Sequence, residues 1–144
     1  MTHTLPSLPL FLIGRREFIS FPLLGIDSIE AKIDTGAYTS SIHCDFIEVK
    51  QVDGKLILHF KINPFAKEEF KFEEFKRKKI KNSFGEMEER FIIKTLILLG
   101  NKKIRSSISL TNRDHMRYPV LIGRRILKGR FLIDVSKLHI NNLN

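Results

Sequence analysis

The chain has 144 residues, 42% of them hydrophobic, a formal net charge of +9 and a single cysteine, Cys44. That length makes one compact domain over residues 1–144, with a core about 11–136, large enough to bury a sizeable interior but too short for two lobes. One cysteine excludes an intrachain disulfide and fits a reducing compartment, with Cys44 expected as a half-buried free thiol.

Met1 to Leu12 lacks a basic leading region and a signal-length apolar core, and no apolar run approaches a membrane span of about 18 residues. Neither secretion nor membrane insertion is expected, and the cytoplasm is the expected location. Phe21 to Ile33 predicts two apolar strands joined at Gly25 to Ser28, a hairpin that delivers Asp34 at a strand end. There Ala31-Lys32-Ile33-Asp34-Thr35-Gly36-Ala37 places a carboxylate before a tight turn. Gly36 tolerates any backbone angle and exposes an N–H that can hold the Asp34 carboxylate. The alternative is an ordinary Asp-Thr-Gly surface turn.

Phe46 to Val52 and Lys55 to Ile62 flank Asp53-Gly54, the strongest short hairpin signal in the chain. Asn63 to Lys79 is rich in Lys, Glu and Phe and follows no pattern. Its basic end, Lys76-Arg77-Lys78-Lys79-Ile80-Lys81, reads as a solvated strand or loop whose charge keeps an edge from pairing. Ile80 to Ile93 then has a turn-forming tip at Ser83, Phe84 and Gly85 between strand-like arms. Phe91 to Leu99 pairs with Lys102 to Leu110 across Gly100-Asn101. Tyr118 to Ile122 is a buried-strand run ending at Gly123, followed by a short helical stretch capped by Gly129. In Phe131-Leu132-Ile133-Asp134 the aspartate ends an apolar strand with no glycine after it, so it reads as a turn or capping residue.

His43, His59, His115 and His139 stand far apart, and His43-Cys44-Asp45 lacks the spacing that lets two side chains of one element meet a tetrahedral ion. No metal or other cofactor is expected. Stacked aromatics and recognised nucleic-acid motifs are lacking, so the charge does not point to nucleic acid. The whole reads as all-β, a closed or partly closed barrel with one short helix after Gly123.

Asp-Thr-Gly-Ala after an apolar strand is how aspartic proteases present a catalytic carboxylate. Val120-Leu121-Ile122-Gly123 resembles the hydrophobic-hydrophobic-Gly psi loop that retropepsins thread beside it. The chain also resembles the narrower family of retropepsin-like domains long labelled ATP-dependent zinc proteases, which occur beside or fused to RimK-type ATP-grasp glutamate ligases. Ile13-Gly14-Arg15-Arg16-Glu17, Ala31 to Ala37, Ile93-Lys94-Thr95, Ser109 to Arg113, Met116 to Arg124 and Phe131 to Ser136 carry that resemblance. The family pattern has a basic residue after Asp-Thr-Gly-Ala, where this chain has Tyr38.

The resemblance implies a single-lobe retropepsin-like aspartic endopeptidase. Asp34 is its catalytic carboxylate, Thr35, Gly36 and Ala37 its active-site turn, and Ile122, Gly123 and Arg124 its psi-loop support. Ser83, Phe84 and Gly85 form the flap, and Arg16 makes an interface or substrate contact. Aspartic-protease chemistry needs two carboxylates sharing a proton, and one Asp-Thr-Gly per chain implies a homodimer in which Thr35 braces the partner's matching turn. The substrate implied is a peptide or protein, glutamate-rich by association with the ligases, and an ATP-grasp ligase is the implied partner. A non-catalytic peptide-binding or regulatory module beside such a ligase is the competing reading.

Overall fold

The computed structural model describes residues 9–81, 84–112 and 117–141. Strands account for 58% of it, with one α-helix, so the all-β expectation holds. In chain order the elements are β1 (Phe11–Ile13), β2 (Arg16–Phe21), a 3-10 turn (Pro22–Leu24), β3 (Ile26–Ile33), β4 (Ser40–His43), β5 (Phe46–Val52) and β6 (Lys55–Lys61). They continue with β7 (Glu69–Phe72), β8 (Lys76–Lys81), β9 (Met87–Leu99), β10 (Lys102–Thr111), β11 (Val120–Ile122), α1 (Arg124–Leu127) and β12 (Phe131–Ile133).

Six strands in the order β10-β4-β11-β3-β2-β9 close into a barrel because β9 also pairs with β10. Period-2 alternation drives the closure: in β3 Ile26, Ile29, Ala31 and Ile33 are buried, whereas Asp27, Ser28 and Lys32 are exposed. The consecutive exposed pair Asp27-Ser28 falls where the register shifts from Ile19↔Ile29 to Phe21↔Ile26, a bulge that absorbs one extra residue on β3. Ile13, Ile19, Ile29, Ile42, Ile93, Ile97, Val120 and Ile122 fill the interior.

The β2–β3 connection differs from expectation. Phe21 ends β2 and Pro22 to Leu24 do not extend as a strand: Pro22 opens a 3-10 turn, where its missing N–H costs nothing, and Gly25 at φ 64 closes it. The two other hairpins fall where their glycines put them, β5–β6 across Asp53-Gly54 and β9–β10 across Gly100-Asn101, with Lys102 opposite Leu99.

The stretch without a pattern contributes β7, which adds to β5–β6 to make a separate three-stranded sheet. Phe60 stacks on Phe70 and meets Phe72 edge-on, which accounts for the phenylalanines there. This sheet follows β4, which runs antiparallel to β11 and therefore away from Asp34. β8 and the first part of β9 form an arm that leaves the barrel, since Met87 to Arg90 pair only with β8. The basic run is thus a sheet edge. At the arm's turn Gly85 takes φ 81 and Phe84 is 87% exposed, while Ser83 lies outside the described residues.

Candidate active site

β11 lies between β3, to which it is parallel, and β4, to which it is antiparallel. The chain leaving β3 must therefore arch over one whole strand before it returns as β4. Residues 34–39 form that arch, and Asp34 stands at its start.

The arch is fastened at each step. Asp34 donates its N–H to the Ile122 carbonyl at 2.8 Å, and the Ala37 N–H closes the turn onto the Asp34 carbonyl at 3.2 Å. The Gly36 N–H donates to Asp34 Oδ1 at 3.1 Å, while Oδ2 has no partner among the described residues. On the far side, the Arg124 and Arg125 N–H groups donate to the carbonyls of Ala37 and Tyr38 at 2.8 and 3.0 Å. Those N–H groups would otherwise be orphaned at the first turn of α1, so helix start and arch satisfy each other. Each bond is worth about 1 kcal/mol net, but leaving a buried member unpaired costs more.

Gly123 is the keystone for steric reasons. A Cβ there would stand 2.7 Å from the carbonyl oxygens of Thr39 and Tyr38 and 2.8 Å from that of Ala37. Its own N–H donates to Ser40 Oγ at 2.9 Å. Arg124 adds a side-chain tie: Nη1 donates to the Thr35 carbonyl at 2.9 Å, and the guanidinium sits 5.9 Å from the centroid of the Tyr38 ring. Tyr38, where the family pattern has a base, thus gives the Arg124 cation an aromatic face.

Arg16 lies on the neighbouring strand, opposite Lys32. Its guanidinium is 5.3 Å from the Tyr118 ring centroid and Nη1 is 3.8 Å from Glu30. Lys32, Arg117, Tyr118 and Leu121 border a hollow of about 250 Å³ on the outer face, with Lys32 two residues before Asp34. Lys32 and Arg117 have no carboxylate partner among the described residues.

Asp134 has the turn geometry read from its sequence: Oδ1 accepts from Ser136 N at 2.9 Å and Ser136 Oγ at 2.6 Å. These bonds hold its carboxyl below the usual range, side-chain bond first, with the nearby Lys137 adding to the shift. Among the described residues no three His, Cys, Asp or Glu side chains are grouped to hold a metal ion. Cys44 is fully buried rather than half-buried, and desolvation first, then the Asp45 charge, pushes its thiol pKa far up. No helix among the described residues is long and apolar enough to cross a membrane.

Two supports were not anticipated. Ser40 lies 83 positions from the Gly123 it serves, and no local signal marks such a contact. Glu17, fully buried, accepts from the N–H groups of Gly14 at 2.7 Å, Asn141 at 3.1 Å and Ile140 at 3.4 Å. A carboxylate at an inward position of an alternating strand was the available sign.

Residues 12–143 match the family described as RimB-like, retropepsin-like aspartic endopeptidase RimB. A probable alpha-L-glutamate ligase of Shewanella halifaxensis is 36% identical over 132 residues, which cover 88% of this chain and 29% of that protein. One from Desulfotalea psychrophila is 38% identical over 128 residues, covering 85% and 28%. The chain thus spans about three tenths of the length of the curated relatives it matches. The crystal structure of Lpg0085 from Legionella pneumophila, a protein of unknown function, superposes with a TM-score of 0.71 at 27% identity, covering 92% of this chain and 98% of that one.

Proposed function

The chain belongs to the RimB-like family of retropepsin-like aspartic endopeptidases, and on that premise we propose that it hydrolyses peptide bonds as a homodimer, with water activated between the Asp34 carboxylates of two copies. The observation that carries this reading is the braced arch: one Asp34 oxygen is held by Gly36 N–H and the other is left without a partner among the described residues. Two such carboxylates brought together repel as two charges, so they share one proton. The ionised Asp34 takes a proton from the water as its oxygen attacks the scissile carbonyl. The protonated Asp34 of the other copy gives its proton to the carbonyl oxygen as charge develops there. As the C–N bond breaks, the proton taken from water passes to the leaving nitrogen while the carbonyl re-forms and returns its proton to that Asp34, leaving an acid and an amine.

The arm of β8 and β9, with Phe84 and Gly85 at its turn, is the element that closes over the substrate and excludes water. Glutamate-rich peptides are the substrates the charge favours. Support comes from the net charge of +9, from Arg16, Lys32 and Arg117 beside the arch, and from the lysines of β8. A second reading has its own support, because the relatives are named glutamate ligases and this chain spans only part of them. In that reading the same lobe holds or presents a peptide for a ligase and cleaves nothing.

The test is light scattering of the purified chain beside Asp34→Asn, with both assayed on a glutamate-rich peptide set from mildly acidic to neutral pH. The expected result is a dimer whose cleavage falls about a thousandfold or more in Asp34→Asn with little change in melting temperature. A monomer that cleaves nothing sinks the two-carboxylate mechanism and leaves the ligase-associated module.

A further inference from the structure

β8 is the last strand of the large sheet: it pairs with β9, and its other edge has no partner among the described residues. The strand reads Lys76-Arg77-Lys78-Lys79-Ile80-Lys81, so five of its six residues are cations, and all five are exposed. Successive side chains of a strand point to opposite faces, which puts Lys76 and Lys78 on one face of the arm and Arg77, Lys79 and Lys81 on the other. Arg77 is engaged, with Nε on Glu89 at 2.6 Å and its guanidinium 5.6 Å from the Phe91 ring centroid. The four lysines have no carboxylate partner among the described residues.

Charge of one sign along an edge keeps a second copy from pairing there, since like charges would face each other across the new ladder. The same arrangement leaves one class of partner for which every cross-strand pair is attractive, an extended chain with carboxylates on both of its faces. Acids at alternate positions would meet only the cations of one face, whereas a run of consecutive glutamates meets them all. The arm's other open edge does not offer this. There Met87 to Arg90 of β9 pair only with β8, and they set Glu88 and Glu89 beside Arg90. Nucleic acid suits the β8 edge less well than peptide, because the strand has no aromatic side chain on which a base could stack. In the sheet order β2 and β9 stand between β8 and β3, at whose end Asp34 lies, so this edge is a place apart from the arch.

We infer that the open edge of β8 is a docking strand for an acidic extended peptide, a run of consecutive glutamates that adds to the sheet along Lys76–Lys81 and is held there outside the Asp34 site. The inference rests on the glutamate-rich reading of the substrate and adds the surface that captures it. The strand spans about 20 Å, the length of six extended residues, so the edge separates long acidic chains from short ones. A chain docked there is carried on the arm, which raises its effective concentration at the arch without any contact to Asp34.

The test measures binding on the full chain carrying Asp34→Asn, so that the readout does not depend on cleavage. The probe is an α-linked oligoglutamate of about ten residues, long enough to cover the strand, followed by fluorescence anisotropy. Its comparator is a γ-linked oligoglutamate of the same length, which has the same carboxylates but sets its side-chain methylenes between successive amides and cannot keep step with a β ladder. At low salt the α-linked chain should bind about tenfold tighter than the γ-linked one. It should also slow amide hydrogen exchange in the 76–81 segment, which the γ-linked chain leaves unchanged. Lys78→Gln combined with Lys79→Gln should weaken the α-linked chain about tenfold and leave the melting temperature unchanged. Equal binding of the two linkages, or no slowing of exchange in β8, overturns the docking strand. So does an oligouridylate that binds as tightly as the α-linked chain and is lost in the same variant, which would assign the edge to phosphate chains. If the wild-type chain cleaves short glutamate peptides while β8 shows none of these effects, the docking strand falls and the catalytic reading stands. If the linkage and exchange effects appear in a chain that cleaves nothing, the docking strand stands and the catalytic reading falls.

Discussion

The Asp34 arch and the β8–β9 arm are both loops of chain thrown off the barrel, and they are held in opposite ways. The arch is pinned by a backbone acceptor from β11 and backbone donors from α1, by Ser40 and Arg124, and by contact tight enough that Gly123 has no room for a methyl group. The arm hangs on one ladder, and its cross-strand pairs work partly against it. Lys78 faces Arg90, while the exposed Arg77–Glu89 pair at 2.6 Å offsets little of that repulsion. On the proposed reading, an element that aims a carboxylate must not move, and one that admits a chain must. The molecule puts packing into the first and charge into the second.

The comparison breaks first at the keystone. Gly123→Ala forces three carbonyl oxygens apart and should cost about 3 kcal/mol, seen as a melting temperature lowered by roughly 10 °C with loss of cleavage. A stable, active Gly123→Ala would mean that the arch yields as the arm does. The arm gives the sharper contrast. Lys78→Glu places an acid opposite Arg90, so stability should rise by about 0.5 kcal/mol in urea titration. KM for glutamate-rich peptides should rise several-fold in the same variant, less so at high salt. If both quantities fall together, the lysine is part of the fold and not of the approach path.

The smallest effect is expected at Asp134. Its carboxyl pKa is lower in the folded chain than in the unfolded one. Its contribution is therefore present above the ordinary carboxylate pKa, near 4, and is lost as pH falls through the folded value. Asp134→Asn should flatten that acid limb by slightly lowering stability at neutral pH while leaving stability in acid unchanged, measured by denaturant midpoint against pH.

How much was legible in the sequence follows from how local each cause is. Asp53-Gly54 and Gly100-Asn101 name their hairpins because a positive φ has to be supplied on the spot, and it is, at Gly54 with φ 79 and Gly100 with φ 59. Gly123 was readable for a related reason, since close approach of backbone to backbone leaves only glycine at the contact. Pro22 was the local sign that the strand after Phe21 stops, and the apolar run concealed it. Ser40 and Glu17 act across the fold on groups that no window of sequence brings together. β7 alternates, Glu69-Phe70-Lys71-Phe72, but over four residues only, and what orders it is phenylalanines meeting across strands.

Glu17 closes the molecule a second time. One carboxylate takes N–H groups from Gly14 near the beginning of the described chain and from Ile140 and Asn141 at its end. From Gly14 to Asn141 the described chain is almost a ring with a hydrogen-bonded clasp. A ring can be cut anywhere its circumference is exposed, so a permuted chain joined at the clasp and opened at the exposed Asp53-Gly54 tip keeps every barrel strand in its place.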